Sequence, residues 1–453
     1  MFYYSPPQNE AKTLDNSLMV FFSHEDFSHN PLAFWEYVKE NCKYKTLWIV
    51  KAEAIYYSLS DAGIACCQSN TEEMHNSLSI AKYVFMDGRQ PIIWRVPKNQ
   101  IIVQLSAAIS FFYDVFTVSN YPKAYYDSLR SLKYMDAYSR ISIASSPLTR
   151  IYTAASYGFD ARKVCITGLP RNDAILNENG KDILFKEFPE LKKYNKLILY
   201  TPSAKTMAQG GPSISSGYKD NIFNMDDFDQ NEFEHFLEEN SIAILFKMHP
   251  FDEYRIGVQN FPSKIPQHVY LFHTNSILGK THYHIFNAFD CMISDTSSTS
   301  YEFLLLDRPI IFLHNELTMF KNYSPGCIID DESIIYPGRR VYSFSDLLEA
   351  LIESLSIPSN YSDYRRRTRE LLHTYTDGMN CKRVLQLIES HDSEEQDINI
   401  EYEMYTHNLC EELNTILDSK SYRFSQRAVS ILCPPNSLRR KLVKMVFRVL
   451  GVK

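Results

Sequence analysis

The sequence predicts an α/β protein made of two successive units, each a mainly parallel sheet with helices on both faces. Three observations predict it. Short apolar runs of strand length, each stopped by a polar or turn residue, alternate along the chain with runs of helical periodicity. The alternation pauses near Gly168-Leu169-Pro170-Arg171-Asn172-Asp173 and then starts again. The composition, 45% hydrophobic and 22% charged over 453 residues, is that of an ordinary globular chain. Such a length holds about two or three domains.

In the first unit Leu18 to Ser23 reads as a strand, and Asn30-Pro31 opens a helix that runs to about Asn41. Thr46 to Val50, Ala81 to Met86 and Ile101 to Gln104 are further strands, followed by helical runs to about Leu132. Arg140 to Ala144 is a strand, Pro147 to Tyr157 a helix and Val164 to Thr167 a strand. The second unit has strands at Leu197 to Thr201, Ala243 to Met248, Val269 to Phe272, Cys291 to Ser294 and Pro309 to Leu313. Its helices are expected at Asn231 to Glu239, Ser298 to Leu306, Ser345 to Leu355, Tyr361 to Tyr375 and Asn380 to Ile388. The expected domains are 1–170, 171–390 and, as linker and helical tail, 391–453.

One stretch organises the second unit. Cys291 to Ser294 is a strand stopped by Asp295, and Thr296, Ser297, Ser298, Thr299 and Ser300 follow it before an apolar helical run. Free amides and hydroxyls at a helix start favour an anion, although Ser and Thr also serve there as plain caps. Glu302 falls in the first turn, where it could reach a ribose hydroxyl. Ligands of open α/β sheets bind beyond the carboxyl ends of strands. Lys205, His249 and the Asp295–Ser298 turn all follow such ends, and residues 205–229 read as a long surface loop of the kind that often binds or covers a ligand.

In this order and spacing, several short pieces become specific together. They are Gly168-Leu169-Pro170-Arg171-Asn172-Asp173, Leu199-Tyr200-Thr201-Pro202, Lys247-Met248-His249-Pro250, Ile293-Ser294-Asp295-Thr296-Ser297-Ser298 and Leu306-Asp307-Arg308-Pro309. Tyr336-Pro337-Gly338 and Tyr375-Thr376-Asp377-Gly378 come later. By these the chain resembles, from about Leu18 to Glu389, the CDP-glycerol:poly(glycerophosphate) glycerophosphotransferase family of teichoic acid primases and polymerases. The resemblance implies a GT-B architecture: two Rossmann-like domains facing a central cleft, the first on the acceptor side and the second binding the CDP donor. It implies transfer of a polyol phosphate, glycerol phosphate or similar, from a CDP-activated donor to a hydroxyl of a lipid-linked glycan or polymer. CMP is released, in teichoic-acid-like or capsule synthesis.

Attack on a pyrophosphate needs its oxygens and the departing nucleotide neutralised. His249 and Lys247 are the candidate catalytic residues. Asp295, Ser297, Ser298, Glu302, Lys205 and Arg171 are the candidates for the donor nucleotide and its phosphates. The resemblance implies that the histidine matching His249 is essential and that Ser297 and Ser298 match donor-site serines. No cofactor and no metal is expected. One position departs from the family. Its Gln-x-Trp-His-Gly segment carries a histidine held to activate the acceptor hydroxyl, and here Gln104-Leu105-Ser106-Ala107-Ala108 puts Ala107 in that place. His24, Tyr113 and Asp114 are candidate substitutes. A sugar transferase using a nucleotide-sugar, or a non-catalytic partner, are the other readings.

The remaining features bound the partners. A net charge of −7 speaks against a nucleic-acid partner. Nine cysteines without a Cys-x-x-Cys pair, and no signal-peptide pattern, give the expectation of reduced thiols in a cytoplasm. Gly279-Lys280-Thr281 lacks the earlier glycine of a P-loop. Asp227 and Asp229 read as a solvated loop, His282 and His284 as pointing to different helix faces, and Arg365-Arg366-Arg367 as a solvated helix face. After Pro434-Pro435, Leu438, Leu442, Met445, Val446, Val449 and Leu450 make one apolar stripe opposite Arg440, Lys441, Lys444 and Arg448. That pattern predicts a helix lying on an anionic membrane, so the protein is expected to be cytoplasmic and peripheral on the inner face of the cell membrane.

Overall fold

The computed structural model describes residues 13–88, 99–105, 138–157, 159–204, 221–250, 265–273, 279–295, 297–314 and 331–392, with single or paired positions between them. Within these, two parallel sheets form. The first comprises β1 (Asp15–Phe22), β2 (Lys45–Val50), β3 (Cys66–Gln68), β4 (Ala81–Met86), β5 (Ile101–Gln104), β6 (Ile141–Ala144) and β7 (Val164–Ile166) in the order β3-β2-β1-β4-β5-β6-β7. The second comprises β8 (Lys196–Thr201), β9 (Ile242–Phe246), β10 (Val269–Leu271), β11 (Cys291–Ser294), β12 (Ile310–Leu313) and β13 (Arg339–Val341) in the order β10-β9-β8-β11-β12-β13. The apolar runs read from the sequence are these strands. Covered by helices on both faces, they bury every side chain along β5, β9, β11 and β12 and so carry no polar alternation.

Strand order reverses between β1 and β4 in the first sheet and between β8 and β11 in the second. At such a point the connections leave to opposite faces and open a crevice beyond the strands' carboxyl ends. In the first sheet that crevice is bordered by the residues after Phe22 and after Met86. In the second it is bordered by those after Thr201 and Ser294. This is where each half can hold a ligand.

Two strands and five helices were not expected, the helices Arg171–Asn177, Gly180–Glu187 and Glu332–Ile335 among them. β3 and β13 are three-residue strands without an apolar run, and Glu53–Asp61 and Glu72–Ile80 are largely polar helices. The helix expected at Ser298 to Leu306 is shorter, with an α-turn at Thr299–Phe303 that tightens to a 3-10 turn at Leu304–Leu306. Asp307 ends it at a positive φ of 49°. Arg365 corrects the sequence reading. It is 2% exposed and bonds the Asp307 carboxylate at 3.1 Å and the Asn360 and Pro358 carbonyls at 2.7 and 2.8 Å. A guanidinium with its donors filled in this way is a strut between segments and no part of a solvated face.

The halves are tied together by polar contacts. The Thr374 amide donates to the Ser145 carbonyl across them at 2.8 Å, and at the start of the second half Asp173 accepts from the amides of Asn380 and Cys381 at 2.9 and 2.8 Å. Gly168 has a φ of +78°, and a Cβ there would meet Asn380 Oδ1 at 2.0 Å. Both facts require glycine at the head of the Gly168–Asp173 piece. Lys280 bridges Glu36 and Glu178 at 3.3 and 3.1 Å, which accounts for the false P-loop lysine. Asp227 accepts from the Phe344 amide and Asp229 caps the helix Gln230–Glu239, so both are structural. The six described cysteines are free thiols. No helix among the described residues is long and apolar enough to cross a membrane. Chain contacts separate residues 1–394 from 395–453, and the tail helix expected in the latter lies outside the described residues.

Candidate active site

Three carboxyl ends of the second sheet converge on one corner. β9 runs straight into Lys247, Met248 and His249. The Lys247 amide donates to the Tyr200 carbonyl of β8 at 2.9 Å, so the strand continues its ladder one residue before it turns. The His249 carbonyl accepts from the amides of Asp252 and Glu253 at 2.9 and 3.0 Å, which fixes the turn behind the imidazole. Lys247 is buried and His249 half-buried. Burial pushes the Lys247 ammonium below its ordinary pKa. Burial, helped by the Lys247 charge, also pushes the His249 imidazole down. The lowered pKa of His249 favours its neutral imidazole, and Lys247 lies two residues before it on the same strand end.

Asp295 organises the neighbouring turn. Its Oδ1 accepts from the Ser203 amide at 2.8 Å and from the Ser297 amide at 3.0 Å, and its Oδ2 accepts from the Ser203 hydroxyl at 2.8 Å. The carboxylate thus clamps the loop after β8 to the turn after β11 across the switch point. Ser297 is buried and donates its hydroxyl to Thr299 at 3.2 Å, while its carbonyl accepts from the Ser300 hydroxyl at 2.8 Å. Ser298 occupies the N-cap position in an αR conformation and makes no capping bond with its side chain. The simple capping account therefore does not explain Ser298.

Glu302 and Arg171 sit beneath this turn. The Arg171 Nε donates to Glu302 Oε1 at 2.8 Å, and its Nη2 donates to the same oxygen. The guanidinium lies 4.8 Å above the Tyr283 ring. Both partners are buried. Burial drives the Glu302 carboxyl up against the pull of Arg171, and the Glu302 charge overcomes burial to hold Arg171 above its ordinary pKa. The Arg171 amide also donates to Asn30 Oδ1 at 3.1 Å, while Asn30 Nδ2 donates to the Leu105 carbonyl at 2.8 Å. The Arg171 backbone thus ties this pair, which lies within the second half, to Asn30 of the first. Arg171 engages Oε1 of Glu302, while Oε2 is buried without a hydrogen-bond partner.

Across from Lys247 and His249 stands the loop after β1. Glu25 carries a carboxylate held down to about 2, because the opposing charge of His29, with Lys247 and His249 beyond it, outweighs burial. His24 donates its amide to Asp87 at the end of β4 at 2.6 Å. Lys205, Ala107, Tyr113 and Asp114 lie outside the described residues. Glu25 and His29 were missed in the sequence, where the signal was a carboxylate and an imidazole four residues apart directly after a strand. Among the described residues no group of three His, Cys, Asp or Glu is placed to hold a metal. His282 and His284 instead lie in a 3-10 turn, where His284 completes a capping box with Thr281.

The model of the CDP-glycerol:poly(glycerophosphate) glycerophosphotransferase family matches residues 7–390. The chain belongs to this family. A teichoic acid ribitol-phosphate polymerase, TarL, of Staphylococcus aureus is 29% identical over 287 residues, 60% of this chain and 46% of that protein. A teichoic acid glycerol-phosphate primase of Bacillus subtilis is 24% identical over 276 residues, 60% of this chain and 63% of that protein. The chain spans about half the length or less of the ribitol-phosphate polymerases it matches. In fold, it matches the wall teichoic acid polymerase TagF with a TM-score of 0.66 at 16% identity, over 86% of this chain and 92% of that one. The GT-B expectation of two Rossmann-like halves therefore holds for this family member.

Proposed function

We propose that this glycerophosphotransferase-family chain moves a polyol phosphate, glycerol phosphate or similar, from a CDP-activated donor to a hydroxyl of a membrane-linked glycan or polymer in teichoic-acid-like synthesis, releasing CMP. The observation that carries the reading is the convergence of Lys247, His249 and the Asp295-clamped Ser297–Ser298 turn at the carboxyl ends of β9 and β11, facing Glu25. In this reading residues 171–390 bind the donor and residues 1–170 the acceptor. Asp295 keeps the turn rigid, so that the hydroxyls of Ser297 and Ser298 address the pyrophosphate oxygens without reorganisation. Lys247 and the His249 N–H neutralise the charge that gathers on the departing CMP. Lys205 belongs to the same phosphate field. Arg171 and Glu302 hold the corner in shape.

Calorimetric titration with CDP and, in parallel, UDP tests the donor assignment. CDP is expected to bind preferentially. Replacing Ser297 and Ser298 with alanine removes two charge-assisted hydrogen bonds and weakens CDP binding by about 10–100-fold. Preference for UDP would move the chain to the nucleotide-sugar reading, and binding of neither would remove the enzymatic one.

The membrane role proposed for the basic amphipathic tail has its own test. Deleting residues 437–453 should shift the protein off vesicles rich in anionic lipid, since each cation near such a surface contributes about 1 kcal/mol. Unchanged sedimentation with the vesicles would rule the anchor out.

A further inference from the structure

We infer that His29, oriented by Glu25, is the group that takes the proton from the acceptor hydroxyl in this chain, in place of the histidine missing at Ala107. The inference rests on the proposed phosphotransfer and adds the acceptor-side residue to it.

Four observations converge. The His29 Nε2 is paired with Glu25 Oε2 at 2.9 Å, so one ring nitrogen is fixed by a carboxylate. The other, Nδ1, is buried and has no hydrogen-bond partner. A carboxylate-oriented imidazole with its second nitrogen uncommitted is the arrangement of a general base, and a buried unpartnered nitrogen calls for a ligand group to fill it. The third observation is location. Asn30, the next residue, holds the Leu105 carbonyl at 2.8 Å, two residues before Ala107. His29 therefore stands at the strand end from which the family's histidine would project. The fourth is the loop itself. Asp26, Phe27 and His29 have φ values of 43°, 39° and 55°, a cluster of left-handed residues without a glycine. The Asp26 carboxylate holds it by accepting from the Lys51 and Ala52 amides at 2.8 and 2.7 Å. Strain of this kind persists where the surroundings over-determine it, and it gathers at functional sites.

The electrostatics agree. Glu25, the carboxylate of the dyad, lies within electrostatic reach of Lys247 and His249, so the dyad faces the donor side. Glu25 and the Asp87 carboxyl raise the His29 pKa above its ordinary value, against burial and the Arg171 charge. His282 and Glu302 face it from the second half.

The step balances as follows. The acceptor oxygen forms a bond to the phosphorus that bears the polyol, and its proton passes to His29 Nδ1. The bond from that phosphorus to the bridging oxygen breaks, and CMP leaves with the electron pair. The imidazolium is stabilised by Glu25, and its proton then passes to solvent.

The test uses the full chain, CDP-glycerol, and dodecyl glycerol phosphate as acceptor, with water as the nucleophile when it is omitted; CMP release is the signal. His29→Asn suits the left-handed backbone, because asparagine tolerates it. It is expected to lower kcat about 10²–10⁴-fold while CDP affinity and melting temperature stay those of the wild type. In the wild type, turnover should rise with pH as His29 loses its proton. Glu25→Gln removes the negative charge that raises that pKa and should move the rising limb to lower pH. Wild-type turnover in His29→Asn, an unmoved limb in Glu25→Gln, or a loss of CDP affinity parallel to the loss of kcat would each overturn the inference and leave the phosphotransfer standing. A wild type that neither binds CDP nor releases CMP would overturn both.

Discussion

Removing the Glu302 carboxylate should lower the melting temperature of the protein by about 5 °C. Glu302→Ala leaves the Arg171 guanidinium buried at 6% exposure with its charge partner gone. Breaking a buried pair in this way costs about 3–5 kcal/mol, because the remaining charge is neither solvated nor paired. Spread over the unfolding entropy of a chain this large, that corresponds to about 5 °C. Replacing both partners, Arg171→Met with Glu302→Leu, should recover much of the loss, since an apolar pair has no unpaired charge. The experiment is a double-mutant cycle read by calorimetric melting and by CDP affinity. A Glu302→Ala protein that melts with the wild type but loses CDP binding would show that Glu302 serves the nucleotide after all.

Replacing His249 with alanine should lower kcat about 10²–10³-fold, the usual effect of losing one preorganised donor at a developing oxyanion. The fold should survive, because the turn behind His249 is held by its backbone carbonyl and not by the ring. Burial and Lys247 keep the imidazole neutral through the physiological range, so its own protonation falls at lower pH than for a free histidine. The rising limb of the pH profile should therefore come from His29, and changing His249 should lower the plateau without moving that limb. CMP release measured from about pH 5.5 to 9 separates the two, a span that covers most of the ordinary imidazole titration and the range above it where a raised pKa falls. Unchanged turnover in His249→Ala would take this residue out of the mechanism.

The strands were legible because a parallel strand covered on both faces must be apolar throughout, and runs such as Ile242–Phe246 or Ile310–Leu313 have no other use in so short a length. The helix Pro147–Tyr157 was read to the residue. The donor-side turn was legible because its hydroxyls and its aspartate are contiguous. Arg365 was misread because three adjacent arginines look alike in one dimension. Only the fold shows that the first meets a carboxylate 58 residues away and the others face solvent. The contact of Glu302 with Arg171 was equally hidden, since that partner lies 131 residues earlier.

What the sequence determined by itself was local: the periodicities that make two α/β units, the motifs of the family, and the residues that follow the strand ends of the second unit. Periodicity and motif act over a few residues, and those forces are written where they act. What only the tertiary structure decided was pairing. It showed that Asp295 clamps Ser203 to Ser297, that Arg171 bolts to Glu302, and that Asn30 brings His29 beside the strand end leading to Ala107. Each of these depends on burial, which removes water as the alternative partner. Burial is a property of the folded chain and is set by residues far away in the sequence.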